Sequence, residues 1–256
     1  MKSIPFLSLF LVTFSASAFD AARLLQRGNP HRRGCYDVHS RHEDRLPPRR
    51  CVAENFDFSS TAGWEAYYQR QTPDSLTEWH SSVPMETLAC LVPPNAASVV
   101  LVGCGSSVLP EFMQRHRPRA GLILQDSSET CLQILRERYG SSMTYVCGDA
   151  TKLSECIQLD AENDNGVDVI YDKGLMDAIF CNEGWNTPIQ LLVEEASKVL
   201  VEGGSYILVS YRLPNPTQEF LRVVGSANNL EWSFDLDGSN DRVGISVATK
   251  RVSVQH

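Results

Sequence analysis

The chain has 256 residues, 43% of them hydrophobic, so it is long enough to bury a sizeable core. Its charge is uneven: residues 1–51 hold 9 Lys/Arg and 4 Asp/Glu, which leaves 14 and 27, and a net charge of −13, for residues 52–256. Because binding to nucleic acid needs clustered Lys and Arg, this acidic body argues against a nucleic-acid partner. It suits a basic partner better.

The first 18 residues, MKSIPFLSLFLVTFSASA, have one lysine, an apolar stretch and an Ala-Ser-Ala ending, which is typical of a cleavable signal peptide. Residues 19–58 are rich in arginine and predict a disordered basic leader. With Phe19 at the cleavage site, this order resembles the two-part leaders of complex plastids; secretion and a mitochondrial presequence are the alternatives. No later segment offers about 18 uninterrupted apolar residues, so we expect no membrane association after the leader is removed.

Residues 59–256 are predicted to form one domain, with a helical cap at 59–95 and an α/β core at 96–256. In the core, strand-like runs alternate with helical segments, and such crossovers predict a parallel sheet covered on both faces. The tail predicts a hairpin around Asp237-Gly238. The expected fold is therefore a doubly wound, seven-stranded, mostly parallel sheet with a C-terminal antiparallel hairpin. The strand-like runs are 97–103, 120–126, 142–149, 166–174 and 205–211, and the helical ones are 107–116, 127–140 and 188–204.

Three consecutive predicted strands end in residues suited to an adenosine cofactor. Gly103 and Gly105 would let the backbone approach a ligand closely. Asp126 is placed to accept ribose hydroxyls, and Asp149 to read the amino edge of adenine. Taken alone, each aspartate is explained as a helix N-cap and the glycines as a tight corner. Together they favour S-adenosylmethionine over NAD, since Val108 breaks the dinucleotide pattern G-x-G-x-x-G.

The eight cysteines show no CxxC pair and no histidine spacing suited to zinc, so no metal site is predicted.

Residues 64–210 resemble the class I S-adenosylmethionine-dependent methyltransferases, a Rossmann-like family. Within them they are most similar to the group of lysine methyltransferases that act on elongation factor 1-alpha and citrate synthase. Ser106 and the pair Leu175-Met176 depart from that group's usual pattern. The motifs that carry the resemblance are WEAYY at 64–68, EWH at 78–80, GCGSS at 103–107, QDSS at 125–128, GDA at 148–150 and DKGLMDA at 172–178.

The resemblance implies S-adenosylmethionine as cofactor and a set of residues that bind it. An aromatic ring beside a sulfonium contributes about 1–2 kcal/mol, which gives the aromatic members of the set a role. Their alternative role is to pack an N-terminal helix onto the core. The set is Trp64, Tyr68, Trp79, Gly103, Asp126, Ser127, Asp149, Ala150 and Lys173, with Gly105 beside them from the strand pattern.

For the acceptor, the resemblance favours a protein with an accessible lysine. The lysine amine must arrive neutral, and Asp172 or Asp177, just beyond the fourth strand, is the candidate group to hold it or take its proton. A helix cap and a surface charge are the alternative explanations for these two carboxylates. A small-molecule methyltransferase, an NAD-dependent oxidoreductase and a non-catalytic adenosine-binding protein remain as alternative functions.

Overall fold

The computed structural model describes residues 57–58, 60–72, 78–157, 166–236 and 242–253. The predicted signal peptide, nearly all of the basic leader and the Asp237-Gly238 turn lie outside the described residues. Within these ranges, no helix has both the length and the apolar character needed to cross a membrane.

The core is a seven-stranded sheet with the strand order β3-β2-β1-β4-β5-β7-β6. The first five strands in chain order are parallel, whereas β7 pairs antiparallel with both β5 and β6. The predicted fold class is therefore confirmed, including the terminal antiparallel pair. The strands are β1 (Ser98–Val102), β2 (Gly121–Asp126), β3 (Thr144–Cys147), β4 (Val167–Lys173), β5 (Leu200–Tyr211), β6 (Leu230–Ser233) and β7 (Val243–Lys250).

Two hydrophobic layers cover the sheet, because successive residues of a strand point to opposite faces. Val99 and Leu101 of β1 pack under α1 to α4, while Val100 and Val102 pack under α5 to α8. This burial on both sides explains why β1 reads as a continuous apolar run. The helices are α1 (Thr61–Tyr68), α2 (Met85–Cys90), α3 (Leu109–His116), α4 (Glu129–Tyr139), α5 (Leu153–Cys156), α6 (Leu175–Phe180), α7 (Asn186–Val199) and α8 (Asn215–Ala227).

Asp168 fastens the amino ends of the two central strands. Its Oδ2 accepts hydrogen bonds from the backbone N–H groups of Ala97 and Ser98 at 2.8 and 2.9 Å, and from Ser98 Oγ at 3.0 Å. The backbone N–H of Asp168 donates to Ser98 Oγ in return, at 3.0 Å. These hydrogen bonds join β1 to β4 at their amino ends, opposite to the glycine turn.

The boundary between α7 and β5 differs from the prediction. The segment 188–204 was expected to be a helix closed by Gly203 and Gly204, but α7 ends at Val199 and β5 begins at Leu200, which pairs with Val167 of β4. Gly204 is needed here for close packing: a Cβ added to it would lie 2.9 Å from the carbonyl oxygen of Val201. Strand pairing with β4 therefore overrides the local helical pattern.

Candidate active site

One cavity of about 310 Å³ opens at the carboxyl ends of β1 to β4, with α1 and Trp79 over it. Ligands of doubly wound folds bind at this edge of the sheet. All ten residues predicted to bind the cofactor line this cavity. They are Trp64, Tyr68, Trp79, Gly103, Gly105, Asp126, Ser127, Asp149, Ala150 and Lys173.

The turn after β1 is open because it is built from glycine. Gly103 and Gly105 have φ of 52° and 56°, a left-handed conformation that glycine adopts readily. A Cβ on Gly105 would lie 3.1 Å from Tyr68 Oη, and one on Gly103 would lie 2.9 Å from Leu175 Cβ. The side chain of Gln125 fixes the turn, since its Oε1 accepts from Gly103 N at 3.1 Å and its Nε2 donates to Gly148 O at 2.6 Å.

The Asp126 carboxylate is fixed by the backbone around it. Its Oδ2 accepts a hydrogen bond from Gly105 N, and its Oδ1 accepts one from Ser128 N, both at 3.0 Å. Burial raises the pKa of Asp126, although these backbone hydrogen bonds oppose the shift. Because each carboxylate oxygen has two lone pairs, both oxygens can still accept a hydroxyl from a ligand.

Asp149 lies on the cavity wall and also caps a helical turn. Its Oδ1 accepts from Thr151 N at 2.9 Å and from Thr151 Oγ1 at 2.8 Å, at the start of the 3₁₀ turn Ala150–Lys152. Asp149 can therefore cap this turn and also contact a ligand in the cavity.

Lys173, at the end of β4, is held by a segment that precedes the sheet. Its Nζ donates to Glu78 Oε2 and to the carbonyl oxygen of Trp79, both at 3.1 Å. Burial lowers the pKa of Lys173, and the charge of Glu78 opposes that shift. Glu78 also accepts from Ser107 Oγ at 3.0 Å and from Val108 N, so it joins the segment to the start of α3.

The aromatic wall is continuous across α1 and the Glu78–Trp79 segment. The ring of Trp64 lies 6.1 Å from that of Tyr68 and 6.0 Å from that of Trp79, measured between centroids. Glu65 attaches α1 to the start of α4, because its carboxylate accepts from Ser128 Oγ at 2.6 Å and from Thr130 Oγ1. The hydrogen bond from Ser128 is the main cause of the lowered pKa of Glu65.

Asp172 and Asp177 do not line the cavity. Asp172 is fully buried and accepts hydrogen bonds from Leu175 N at 2.9 Å and from Tyr206 Oη at 2.8 Å. Asp177 accepts from His80 Nε2 at 2.7 Å. The catalytic role predicted for the two carboxylates therefore has no contact in the structure that supports it.

One group of side chains in the described ranges has a spacing that a metal ion could use: Cys104, Asp126 and Cys131, whose ligand atoms lie within 4.8 Å of one another. Burial raises the pKa of Cys104, and a hydrogen bond with Cys104 together with burial raises that of Cys131. The two thiols pack behind the glycine turn, where burial favours their protonated form.

Comparison with known sequences gives low but extended similarity, and no family model matches the chain. It is 28% identical over 197 residues to the eEF1A lysine and N-terminal methyltransferase of Mus musculus, across 73% of this chain and 26% of that protein. The protein of the same name from Homo sapiens is 26% identical over 162 residues, across 60% of this chain and 22% of that protein. The chain thus spans about a quarter of the length of these relatives.

Solved structures with the same fold include CalS10 with bound S-adenosylmethionine, an amino pentose methyltransferase from Micromonospora echinaspora. The two share a TM-score of 0.51 and 16% identity, over 73% of this chain and 96% of CalS10. A structure from work on the conversion of a disulfide bond into a thioacetal group during echinomycin biosynthesis has a TM-score of 0.53 and 14% identity, over 75% of this chain and 93% of that one. These likenesses show the fold.

The chain therefore has the Rossmann-like fold seen in solved S-adenosylmethionine-dependent methyltransferases, and its sequence is similar to that of eEF1A lysine and N-terminal methyltransferases. The resemblance to the lysine methyltransferases of elongation factor 1-alpha is confirmed at the level of sequence similarity.

The site fits S-adenosylmethionine. The glycine turn leaves space that a Cβ on Gly105 would fill, and the fixed carboxylate of Asp126 can accept the two hydroxyls of a ribose. Three aromatic rings flank the same cavity and would favour a sulfonium. The volume of about 310 Å³ is at the lower end of the range for small-molecule sites, which is roughly 300–1,000 Å³.

Proposed function

We infer that the chain transfers the methyl group of S-adenosylmethionine to the side-chain amine of a lysine in a protein. The observation that carries methyl transfer is that Gly105, Asp126 and Asp149 line one cavity with Trp79 and Lys173. The choice of a protein lysine is supported by the names of the curated relatives and by the net charge of −13 in residues 52–256, which suits a basic partner.

The cofactor, when bound, supplies a methyl group on a positively charged sulfur that is open to in-line displacement. The residues of this chain bind it and orient it. Asp126 accepts hydroxyl hydrogens with a carboxylate already fixed by Gly105 N and Ser128 N. Trp64, Tyr68 and Trp79 exclude water from the charged sulfur, and alignment of this kind is the main contribution that a protein makes to such a displacement.

The acceptor amine must be neutral to attack, and it must lose a proton after the new nitrogen–carbon bond forms. Asp172 and Asp177 are both engaged in hydrogen bonds behind the cavity wall. The proton is therefore released to water in our proposal. Lys173 does not compete as an acceptor, because its Nζ is paired with Glu78.

The proposal is tested by incubating residues 57–256 with S-adenosylmethionine labelled in the methyl group and a protein extract. Protein is precipitated and hydrolysed, and the label is separated by chromatography. We expect radioactive methyl-lysine, and less of it with the Asp126→Ala variant when the cofactor is limiting. Label in the small-molecule fraction alone would contradict the proposed lysine acceptor and favour a small-molecule methyltransferase.

A thermal-shift experiment distinguishes S-adenosylmethionine from NAD as the cofactor. We expect S-adenosylhomocysteine, the demethylated product, to raise the melting temperature and NAD to leave it unchanged. A rise with NAD alone would point instead to the oxidoreductase alternative.

A further inference from the structure

His80 is a buried histidine that the proposed chemistry does not use. Its side chain is 1% exposed, and its Nε2 lies 2.7 Å from Asp177 Oδ2. Its Nδ1 has no hydrogen-bond partner among the residues that the structure describes. Donation from Nε2 to Asp177 leaves Nδ1 as an acceptor, since the partner of one ring nitrogen sets the tautomer.

The backbone at His80 is strained. Its φ is 59°, a left-handed conformation that is uncommon for a residue other than glycine. Such strain persists only where the surrounding contacts enforce it, and it clusters at functional sites. Here the enforcing contact is the buried pair with Asp177.

The pair lies beside the ends of β4 and β5, of which only the β4 end contributes a predicted cofactor residue, Lys173. Gly103, Asp126 and Asp149 belong to the ends of β1, β2 and β3. His80 instead packs edge-on against Tyr211 at the end of β5, with ring centroids 4.9 Å apart. The Asp177 carboxylate also accepts from the backbone N–H of Tyr211 at 3.2 Å.

The same pair positions two parts of the cavity wall. A Cβ added to Gly174 would lie 3.6 Å from His80 Nε2 and 3.7 Å from Trp79 Cβ, so both residues pack on the backbone of Gly174. Trp79 and Gly174 line the cavity, whereas the Tyr211 side chain, with the residue 52% exposed, faces its surroundings. A movement of His80 would therefore move the wall at the ends of β4 and β5.

On the basis of the methyl transfer inferred above, we propose that His80, held by Asp177, is a positioning residue for the methyl acceptor: the pair fixes Gly174 and Tyr211, next to the cofactor residue Trp79, as the side of the site that the acceptor contacts. This role is independent of whether the acceptor is a lysine, because it concerns the geometry of the wall.

The test compares three variants. His80→Gly removes the imidazole and relieves the backbone strain, and His80→Gln keeps a donor that reaches Asp177. Asn229→Gly is the matched control, since Asn229 also has a positive φ, 58°, at the start of β6 and away from the cavity. Calorimetry measures the Kd for S-adenosylhomocysteine, and the rate is that of label transfer to a whole extract, counted in proteins and metabolites together.

We expect His80→Gly to bind S-adenosylhomocysteine within about threefold of the unchanged chain while transfer slows at least tenfold, and His80→Gln to recover part of the rate. The Asn229→Gly variant should match the unchanged chain in both measurements. Equal rates for His80→Gly and the unchanged chain would overturn the proposal. So would an equal loss in cofactor affinity and rate, because that result assigns His80 to the cofactor wall.

A second variant covers the case in which His80→Gly does not fold. Asp177→Asn keeps the histidine and should slow transfer without changing the Kd for S-adenosylhomocysteine. Its nitrogen-15 histidine spectrum, compared with that of the unchanged chain, should show one imidazole N–H, that of His80 Nε2, losing its strong hydrogen bond. An unchanged rate, or a spectrum with the His80 proton on Nδ1, would contradict the proposed pair.

Discussion

The carboxylate of Glu65 accepts a hydrogen bond from Ser128 Oγ at 2.6 Å. Ser128 is the N-cap of α4, and its Oγ in turn accepts a hydrogen bond from Cys131 N at 3.0 Å. Ser128 N donates in turn to Asp126. A helix that precedes the sheet is thereby connected to the carboxylate predicted to hold the ribose. Docking of α1 and binding of the cofactor should therefore depend on each other.

We predict that Glu65→Ala lowers the affinity for S-adenosylhomocysteine about three- to tenfold, or roughly 1 kcal/mol, because α1 loses its attachment to α4. Calorimetry measures the change. Glu137→Ala is the control, since Glu137 is an exposed carboxylate on α4 that accepts a hydrogen bond from Gln133 Nε2 on the same helix. Equal affinities for Glu65→Ala and the control would contradict the coupling.

Gly105→Ala should lower cofactor affinity at least tenfold. An alanine there meets Tyr68 Oη at 3.1 Å and must also adopt a φ of 56°. Gly203→Ala separates the two effects, because Gly203 has a φ of 76° with nothing within 4 Å of an added Cβ. We expect the control to lose some stability in a thermal melt and to keep its affinity; matching losses of affinity would show that strain alone explains the result.

Asp126→Ala should weaken cofactor binding by about 1–3 kcal/mol, through the loss of charge-assisted hydrogen bonds, while the domain stays folded. Asp168→Ala is the matched variant at the opposite edge, where the carboxylate binds only backbone and serine groups of its own sheet. It should reduce the free energy of unfolding and leave the Kd unchanged. A calorimetric Kd that is unaltered in Asp126→Ala would show that the ribose assignment is wrong.

Asp172 predicts a pH dependence of stability. Burial raises its pKa from 3.8 to about 7. A raised carboxyl pKa means that the folded state binds more protons, so the contribution of Asp172 is complete below 3.8 and is lost as the pH rises through about 7. The free energy of unfolding is measured with denaturant at about pH 5 and about pH 8. It should decline less between these two pH values for Asp172→Asn, which cannot ionise, than for the unchanged chain. Parallel curves would contradict this assignment.

Residues 1–58 are predicted to direct the protein into the secretory route and then to a complex plastid. A fusion of this segment to a fluorescent protein, expressed in a cell with such plastids, should be imported, and Phe19→Ala should divert it. Fluorescence in the medium or in mitochondria would favour one of the two alternative destinations.

The core of the fold was predictable because its signals are local. The central strand β1 is an apolar run that is buried on both faces at Val99–Val102, and each of β1 to β4 ends in or is followed by a glycine or an acidic residue. The helices α5, α6 and α8 were not predicted, and the end of α7 was placed too far along the chain. In that last case the run Val199–Val201 fits either periodicity, and only pairing of Leu200 with Val167 decides between them.

The cofactor wall was also predictable, since strand order brings Gly103, Asp126 and Asp149 to one edge of the sheet. The groups that hold the wall in place were not. Glu65 reaches Ser128 across 63 positions, Glu78 reaches Lys173 across 95, and His80 reaches Asp177 across 97. Pairs so distant leave no periodic pattern, and a carboxylate in a helix reads as a solvated charge until its partner is known.

The hydrogen bonds of Asp168 stabilise the sheet at the edge opposite to the cavity. Because the central strands are tied together at their amino ends, the rim that carries the exposed side chain of Tyr211 is not what keeps the sheet assembled. Side chains on that rim can therefore be exchanged at little structural cost. An engineer who wishes to redirect the proposed methyl transfer to a new nucleophile should randomise that rim and leave the far edge untouched.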